Sequence, residues 1–347
     1  MRGDRKARIG FVGAGSHSTR MLYPSLMEAP SAQLVAVCDL RADRAQDAAK
    51  RYGADRWHTD VGAMLDAETL DGVCICGDPH MHLEVGVQVV RRGIPIFVEK
   101  PSAMNSRDAR KLAETAERAG VWGMVAFMKR HAPGYGLAKS LMDAPSFGGV
   151  QQLHLRFTQG EYPDTWGLEA PQGFLVGQVV HIFDLLRFLG GDAANAHARL
   201  HMVSKYRFAY AISAEMASGA VATLELNSLD HAVPWRDIIE HVHVSGVGEN
   251  VSVENMLDVT HYSTRDWRPD AQQTFGAAYR TWSPNFLSVG SGKALCGYEG
   301  ELEHFAQCLL SATPATASLQ DGVEALRIGE AVWKSAQTGR SVGLKRA

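Results

Sequence analysis

The most chemically suggestive residues in this sequence are an acid and a base at the end of an apolar run: Glu99 and Lys100, in Ile94-Pro95-Ile96-Phe97-Val98-Glu99-Lys100-Pro101. A lysine shifts its pKa readily when its surroundings change, so it serves as an acid or base near neutral pH. On a surface the same pair is an ordinary solvated ion pair, and the tripeptide alone does not separate the two readings. Its setting favours chemistry. Residues 95–98 read as a short strand buried on both faces of a parallel sheet, and in such sheets ligands bind at the carboxyl ends of the strands. Proline then stops the strand and restricts Lys100 to an extended backbone.

A second constellation binds rather than reacts. The apolar run 8–12 reads as a strand, Gly13-Ala14-Gly15 ends it, and a helical pattern follows through Leu22, Leu26 and Met27. Gly13 permits the tight turn, and Gly15 lets a pyrophosphate approach the helix N-terminus, whose N–H groups and dipole favour anions. Ser18 stands where the dinucleotide fingerprint has its third glycine, so looser packing is expected there. Residues 33–38 form the next strand, ending in Asp39 at the spacing of an acid that bonds the ribose hydroxyls. Such a carboxylate repels a 2′-phosphate and favours NAD over NADP, a preference that Arg41 and Arg44 soften. Asp39 is also placed to cap a helix over 42–52. Another strand end, Gly77-Asp78-Pro79-His80-Met81-His82, faces the same crevice, and His82 either caps its helix or touches the nicotinamide side. In the second half His181 and Asp184, three apart on an apolar helix over 178–189, share a face. A lone histidine there is a core residue unless something else recruits it.

These residues need a scaffold of alternating elements, and the pattern supplies one. Strands over 8–12, 33–38, 72–76, 95–98 and 121–127 alternate with helices over 42–52, 82–92 and 106–119, predicting about six parallel strands in a doubly wound sheet. From Val150 the texture changes to polar–apolar alternation over 151–157, 210–216, 221–226 and 241–245, with a hairpin turn at Ala217-Ser218-Gly219. That predicts an antiparallel sheet with one covered face, the other being available to a partner. An insertion over 158–175, rich in glycine, proline and aromatics, leads into the helix of His181. The fold class expected is α/β, with a Rossmann domain over 1–127 and a substrate-binding and oligomerisation domain over 128–347. The C-terminal helices are expected to pack back on the first.

At 347 residues the chain exceeds what one core usually supports. A composition of 46% hydrophobic and 21% charged residues, with a net charge of -3 and no basic block, excludes the usual signatures of nucleic-acid or anionic-membrane binding. No run is expected to approach the ~18 apolar residues of a membrane helix. The charged start, Met1 to Lys6, leads straight into a strand, so no signal peptide is expected there. Five cysteines, Cys38, Cys74, Cys76, Cys296 and Cys308, show no paired knuckle for zinc. No metal is expected, and a reducing, cytoplasmic setting fits best.

In this order and spacing the motifs resemble those of the glucose–fructose oxidoreductase / inositol dehydrogenase / rhizopine-catabolism (Gfo/Idh/MocA) family over nearly the full length. They are Gly13-Ala14-Gly15, Asp39, Pro79-x-x-His82, Glu99-Lys100-Pro101, Val125-Ala126-Phe127-Met128-Lys129-Arg130 and His181-x-x-Asp184-Leu185-Leu186. Gly190, Tyr298, Phe305 and Ser335-Ala336-Gln337-Thr338-Gly339-Arg340 complete the set. The resemblance implies hydride transfer between nicotinamide and a hydroxyl-bearing carbon of a sugar, amino sugar or cyclitol. It implies a dimer or tetramer through the C-terminal sheet, and it strengthens the expectation of a cis Lys100–Pro101 bond.

Under this resemblance Lys100 is acid/base or orienting cation, His181 takes the hydroxyl proton, and Asp184 orients His181. Cofactor contacts are expected from Gly13, Gly15, Ser16, His17, Asp39, Arg41, Gly77, Pro79, His82, Glu99 and Lys100. Substrate contacts are expected from Lys100, Lys129, Arg130, Trp166, Gln178 and His181, with Trp166 and Trp235 placed either to stack on a sugar or to pack. One departure matters. Many members carry an acid one helical turn before the histidine, and here that position is Gly177; Glu161, Asp164 and Glu169 are candidate substitutes. Two competing readings remain: a glycoside-cleaving enzyme of the same fold that keeps its nicotinamide, and a non-catalytic dinucleotide-dependent regulator.

Overall fold

The computed structural model describes residues 5–230, 238–263, 278–284 and 292–344. Trp235 lies outside them. The chain packs as two units, Met1–His131 with Gly292–Leu326, and Ala132–Ser291 with Arg327–Ala347.

The first unit is built on six parallel strands: β1 Ala7–Val12, β2 Ala32–Cys38, β3 Arg56–His58, β4 Gly72–Ile75, β5 Ile96–Val98 and β6 Gly123–Val125. Their order is β3-β2-β1-β4-β5-β6, every pairing is parallel, and the reversal between β1 and β4 opens a crevice at the strands' carboxyl ends. Phe97, Ile96 and Val98 have no exposure, as a central strand covered on both faces requires. Five of the six strands are expected from their apolar runs. β3 has no such run, since it is a three-residue edge strand with two exposed residues. Side-chain caps start the helices between strands: Asp60 accepts from Ala63 N–H, Asp78 from His80 N–H and Asn105 from Asp108 N–H. Asp78 therefore corrects the reading of His82 as a cap. The helix begins at Pro79, and His82 lies inside its first turn. Asp39 does not cap the helix Ala42–Tyr52 either; Arg41 holds that position without a side-chain bond.

Among the described residues the second unit carries nine strands: β7 Gln152–Gln159, β8 Ala193–Ser204, β9 Arg207–Met216, β10 Val221–Asn227, β11 Ile238–Ser245, β12 Glu249–Glu254, β13 Asp258–Ser263, β14 Ala278–Trp282 and β15 Val342–Gly343. Their order is β14-β13-β12-β11-β7-β10-β9-β8-β15. The sheet is mostly antiparallel, but β7 and β10 run parallel at its centre. That pair is possible because β8 and β9 intervene in sequence, and β8 went unseen because its inward residues, Ala196 and Ala198, are small. Alternation is clean: Leu153, Leu155, Phe157, Leu224, Val242 and Val253 are buried, while His154, Arg156 and Glu225 between them face out.

The buried face is covered by a continuous helical stretch, Ala170–Gly190, in which a π-helical turn, Leu175–Val179, separates two α-helical parts. This stretch corrects the expectation about apolar runs. It spans 21 residues with a mean hydropathy of 1.4 in its most apolar window, enough by length and composition to cross a membrane. That window is 78% buried within the protein, the condition of a core helix. Phe174 in it packs edge-on to Phe208 at 5.5 Å.

The last residue of the first segment of unit one supplies a stability prediction. The His131 ring lies against the His304 ring at 5.1 Å between centroids, and its Nε2 is buried without a hydrogen-bond partner. Burial, with the charges of His304 and Arg130, holds its pKa down to about 3 against an ordinary 6.5. The unfolded chain therefore binds this proton first. The contribution of neutral His131 is complete above the unfolded value and is lost as pH falls toward the folded one, at up to about 1.4 kcal/mol per pH unit. Denaturant unfolding between about pH 6 and 4 should show this slope, and His131→Leu should reduce it. An unchanged slope in the variant would assign the acid loss to other groups.

Candidate active site

In the first unit the glycine turn, the end of β2 and the end of β5 are tied together by backbone and carboxyl groups. Gly13 has φ +102°, and a Cβ there would lie 1.9 Å from the Cys76 carbonyl oxygen, so only glycine fits. A Cβ on Gly15 meets nothing within 4 Å, so the turn is open on the side where a phosphate would approach. Asp39 bridges the two strand ends: its Oδ2 accepts from Ala14 N–H at 2.7 Å and its Oδ1 from Arg41 N–H at 2.9 Å. The Arg41 guanidinium bonds Asp43 at 2.5 Å on the surface. Ser18 is fully buried and its hydroxyl donates to the Gly15 carbonyl at 3.0 Å, so the looser packing expected there is not found. Ser16 is exposed at the head of the same helix. These features fit a dinucleotide: a glycine-only turn, an open approach and a fixed carboxylate at the second strand end.

Glu99 and Lys100 close β5. Glu99 is 4% exposed, with Oε1 3.0 Å from His17 Nε2 and Oε2 accepting from the Lys100 N–H at 2.7 Å. Burial opposes its ionisation, but the His17 hydrogen bond and the charges of His17, Lys100 and His82 outweigh burial and hold the carboxyl below its ordinary range. Lys100 is half-buried; burial pushes its ammonium pKa down and Lys129 adds to this, while Glu99, Cys76 and Glu301 oppose it. The Lys100–Pro101 bond is cis, as expected. His82 fixes the turn. Gly77 N–H donates to its Nε2 at 2.9 Å, which leaves Nδ1–H to donate to the Pro101 carbonyl at 2.8 Å. Burial lowers its pKa, consistent with that neutral tautomer. Pro79, at the head of the same helix, is buried. Lys129 is 2% exposed, and Arg130 pairs with Asp321 at 3.3 Å.

Two residues of this cluster were not singled out for chemistry by the sequence. Tyr298, one turn from Glu301 on the helix Tyr298–Ser311, sets its ring edge-on to His17 at 6.0 Å. Glu301 itself has no exposure and no hydrogen-bond partner for either carboxyl oxygen. The available signal was an acid on an apolar stripe, beside Leu302 and four residues before Phe305.

The second unit holds the remaining candidates. His181 is 7% and Asp184 1% exposed, both on the helix Val180–Gly190, and Gln178 is half-buried in the π-helical turn before it. Such turns interrupt helices mostly as single π-bulges, frequently at functional sites. Trp166 is 36% exposed with φ 53°. The proposed substitutes for the missing acid are all exposed. Glu161 pairs with Arg207 at 3.5 Å, Asp164 with Lys205 at 2.7 Å, and Glu169 precedes the helix Ala170–Phe174 without capping it.

The structure gives a steric reason for Gly177. A Cβ there would lie 2.5 Å from the Tyr162 hydroxyl and 3.2 Å from Trp166 Cζ3. Tyr162 is 6% exposed and packed edge-on to Phe174 at 5.3 Å, so it cannot retreat freely. Gly177→Ala should therefore cost about 1–3 kcal/mol of stability. In a Tyr162→Ala background most of that cost should vanish, which a denaturant double-mutant cycle reads directly. Simple additivity would mean that the tyrosine is not what excludes a side chain at 177.

The first unit thus has the topology and turn chemistry of a dinucleotide-binding domain, followed by a larger open-sheet α/β unit. The sequence matches the oxidoreductase family model with an NAD-binding Rossmann fold (GFO_IDH_MocA) over residues 7–127, and that family's C-terminal alpha/beta domain over 139–344. The chain belongs to the Gfo/Idh/MocA oxidoreductase family. It is 27% identical to the D-apiose dehydrogenase of Paraburkholderia graminis, covering 98% of this chain and 90% of that protein. It is 26% identical to the scyllo-inositol 2-dehydrogenase (NAD(+)) of Bacillus subtilis, covering 99% and 97%. Among solved structures, a dehydrogenase from Chromobacterium violaceum superposes with a TM-score of 0.86 at 22% identity, covering 96% of each chain. A levoglucosan dehydrogenase in complex with NADH and L-sorbose superposes at 0.85 and 18% identity, covering 99% of this chain and all of that one. At such identities the superpositions show a shared fold.

Proposed function

We propose that this protein is an NAD-dependent dehydrogenase that oxidises a hydroxyl-bearing carbon of a sugar, amino sugar or cyclitol. The observation that carries the reading is the Glu99–Lys100 pair, an ionised acid and a lysine of lowered pKa at the carboxyl end of β5, in the same unit as the glycine turn. NAD supplies the hydride acceptor when bound. Gly13 and Gly15 leave room for its phosphates, Asp39 is aimed for the ribose hydroxyls, and Lys100 stabilises and relieves charge on the reacting oxygen. His181 is the second group proposed for the hydroxyl proton, with Asp184 orienting it, since an imidazole titrates in the range that proton transfer needs. Trp166, Gln178, Lys129 and Arg130 are the proposed substrate contacts. The outward face of the nine-stranded sheet is the proposed surface of self-association, and the cytoplasm the proposed setting.

A panel of sugars and polyols screened for NADH formation tests the activity. On the best substrate, Lys100→Met should abolish turnover with NAD affinity within a few-fold of wild type. His181→Asn should lower kcat by about 10²–10⁴, and wild-type turnover in that variant would make His181 a core residue only.

Cofactor choice has its own measurement. NAD should bind more tightly than NADP, and Asp39→Ala should narrow the gap, because the carboxylate meets a 2′-phosphate with like charge. Fluorescence titration of both nucleotides reads this, and a preference of the unaltered protein for NADP would contradict it.

A further inference from the structure

Trp166 stands at the tip of a loop whose backbone is tied down on both sides. Tyr162 N–H donates to the Tyr206 carbonyl at 3.2 Å, and Asp164 accepts from Ala170 N–H at 3.0 Å while pairing with Lys205. Between these anchors Thr165 and Leu168 exchange both backbone hydrogen bonds, at 3.1 and 2.9 Å, across a turn of two residues, Trp166 and Gly167. Both turn residues have a positive φ, 53° and 78°. Hairpin turns of this kind favour asparagine or aspartate first and glycine second, and a bulky indole in the first place adopts a backbone it rarely visits. Strain of that sort persists where the surroundings over-determine it, and it clusters at ligand clamps.

The surroundings here are specific. The benzo edge of the indole, Cζ3 and Cη2, comes within 3.2 and 3.5 Å of the point where a Cβ on Gly177 would stand, and the Tyr162 hydroxyl within 2.5 Å of the same point. The missing side chain makes the socket: the ring edge and the hydroxyl meet over bare helix backbone. Tyr162 is buried there, but Trp166, held by its edge, keeps 36% of its surface in water. Packing alone explains neither the strained turn nor the open ring. Gly177 lies in the π-helical turn Leu175–Val179 beside the half-buried Gln178, and four residues further, on the same face, comes His181. The indole therefore flanks, one turn away, the imidazole proposed to take the substrate proton.

We propose that Trp166 is a stacking platform for a six-membered-ring polyol, positioned by Gly177 and Tyr162, and that it selects ring substrates over open chains. The inference rests on the dehydrogenase reading. A chair with equatorial hydroxyls is polar at its rim and apolar on its two faces, where the axial C–H bonds point. Laid on the indole, it buries a C–H face against an apolar surface and keeps its hydroxyls at the rim. There they face the polar groups of the helix, Gln178 and His181. An open-chain polyol turns hydroxyls to every side, so stacking strips some of them of water without a partner. Gly177 and Tyr162 touch no substrate; they fix the plane of the ring that does.

Ring selection is read as equilibrium binding to the full chain saturated with NADH, by ligand-observed NMR titration. The probes are scyllo-inositol and methyl β-D-glucopyranoside, whose ring substituents are all equatorial, and open-chain sorbitol. At least one ring polyol should bind about tenfold more tightly than sorbitol. Trp166→Ala should remove that preference and Trp166→Phe should restore part of it, with NADH affinity unchanged in both. Gly177→Ala, which displaces the indole without altering it, should also lower the ring-to-chain ratio, whereas a merely structural glycine would change stability and leave the ratio alone. Sorbitol binding as tightly as both rings, or a ring preference that survives in Trp166→Ala, overturns the inference and leaves the dehydrogenase reading standing. Binding of none of the three to the NADH complex overturns it as well. Failure of the chain to bind NADH overturns the dehydrogenase reading together with the inference.

Discussion

A carboxylate removed from water must be paired, and the pairing of Glu99 organises the first unit. Its two oxygens draw in His17 from the turn after the glycines and the backbone N–H of Lys100. Left unpaired at 4% exposure it would have neutralised itself. With both partners it stays ionised and sets the field in which Lys100 titrates. The neighbouring turn is held just as firmly, because His82 spends both ring nitrogens on the backbone of Gly77 and Pro101. The sheet's carboxyl edge is therefore a set of loops linked by short, mostly part-buried hydrogen bonds, a preorganised edge of the kind a functional site needs.

Much of this was legible in the sequence, for reasons specific to each residue. β5 announces itself because a central parallel strand must be apolar on both faces, and Gly13 because the close approach of Cys76 leaves no room for a side chain. Asp39 was placed at the strand end by spacing, and its carboxylate also stitches the glycine turn there. β3 and β8 were not legible: one is a three-residue edge strand with little to bury, the other turns alanines inward where a pattern search wants larger residues. The helix Ala170–Gly190 misled in the opposite direction, since an apolar core helix and a membrane helix have the same composition and differ in what surrounds them.

Side-chain contacts distant in sequence were the least legible. Tyr162 and Gly177 lie fifteen positions apart, and only the fold brings the tyrosine hydroxyl to where a Cβ would stand. The glycine is thus one half of a packed pair, in which a bulky aromatic from the preceding loop occupies the space that a side chain at 177 would need. An acid introduced alone at 177 meets that ring. The exposed acids of the loop, already engaged with Arg207 and Lys205 where partners are seen, belong to the surface and not to this packed face.

Glu99 and Glu301 show how far environment outweighs residue type. Both are nearly or fully buried in the same unit, and both lie close enough to Lys100 to feel its charge. One meets two hydrogen-bond partners, which favour its charged form; the other meets none, and burial favours its protonated form. Their surroundings thus push two residues of the same type in opposite directions, Glu99 below and Glu301 above the ordinary carboxylate range. A single exposed Glu–Lys pair would provide no such divergence, because water would return each group to its ordinary value. What distinguishes this strand end from a surface ion pair is therefore the burial of its carboxylate and of a second carboxyl, supplied from a helix about two hundred residues further along the chain.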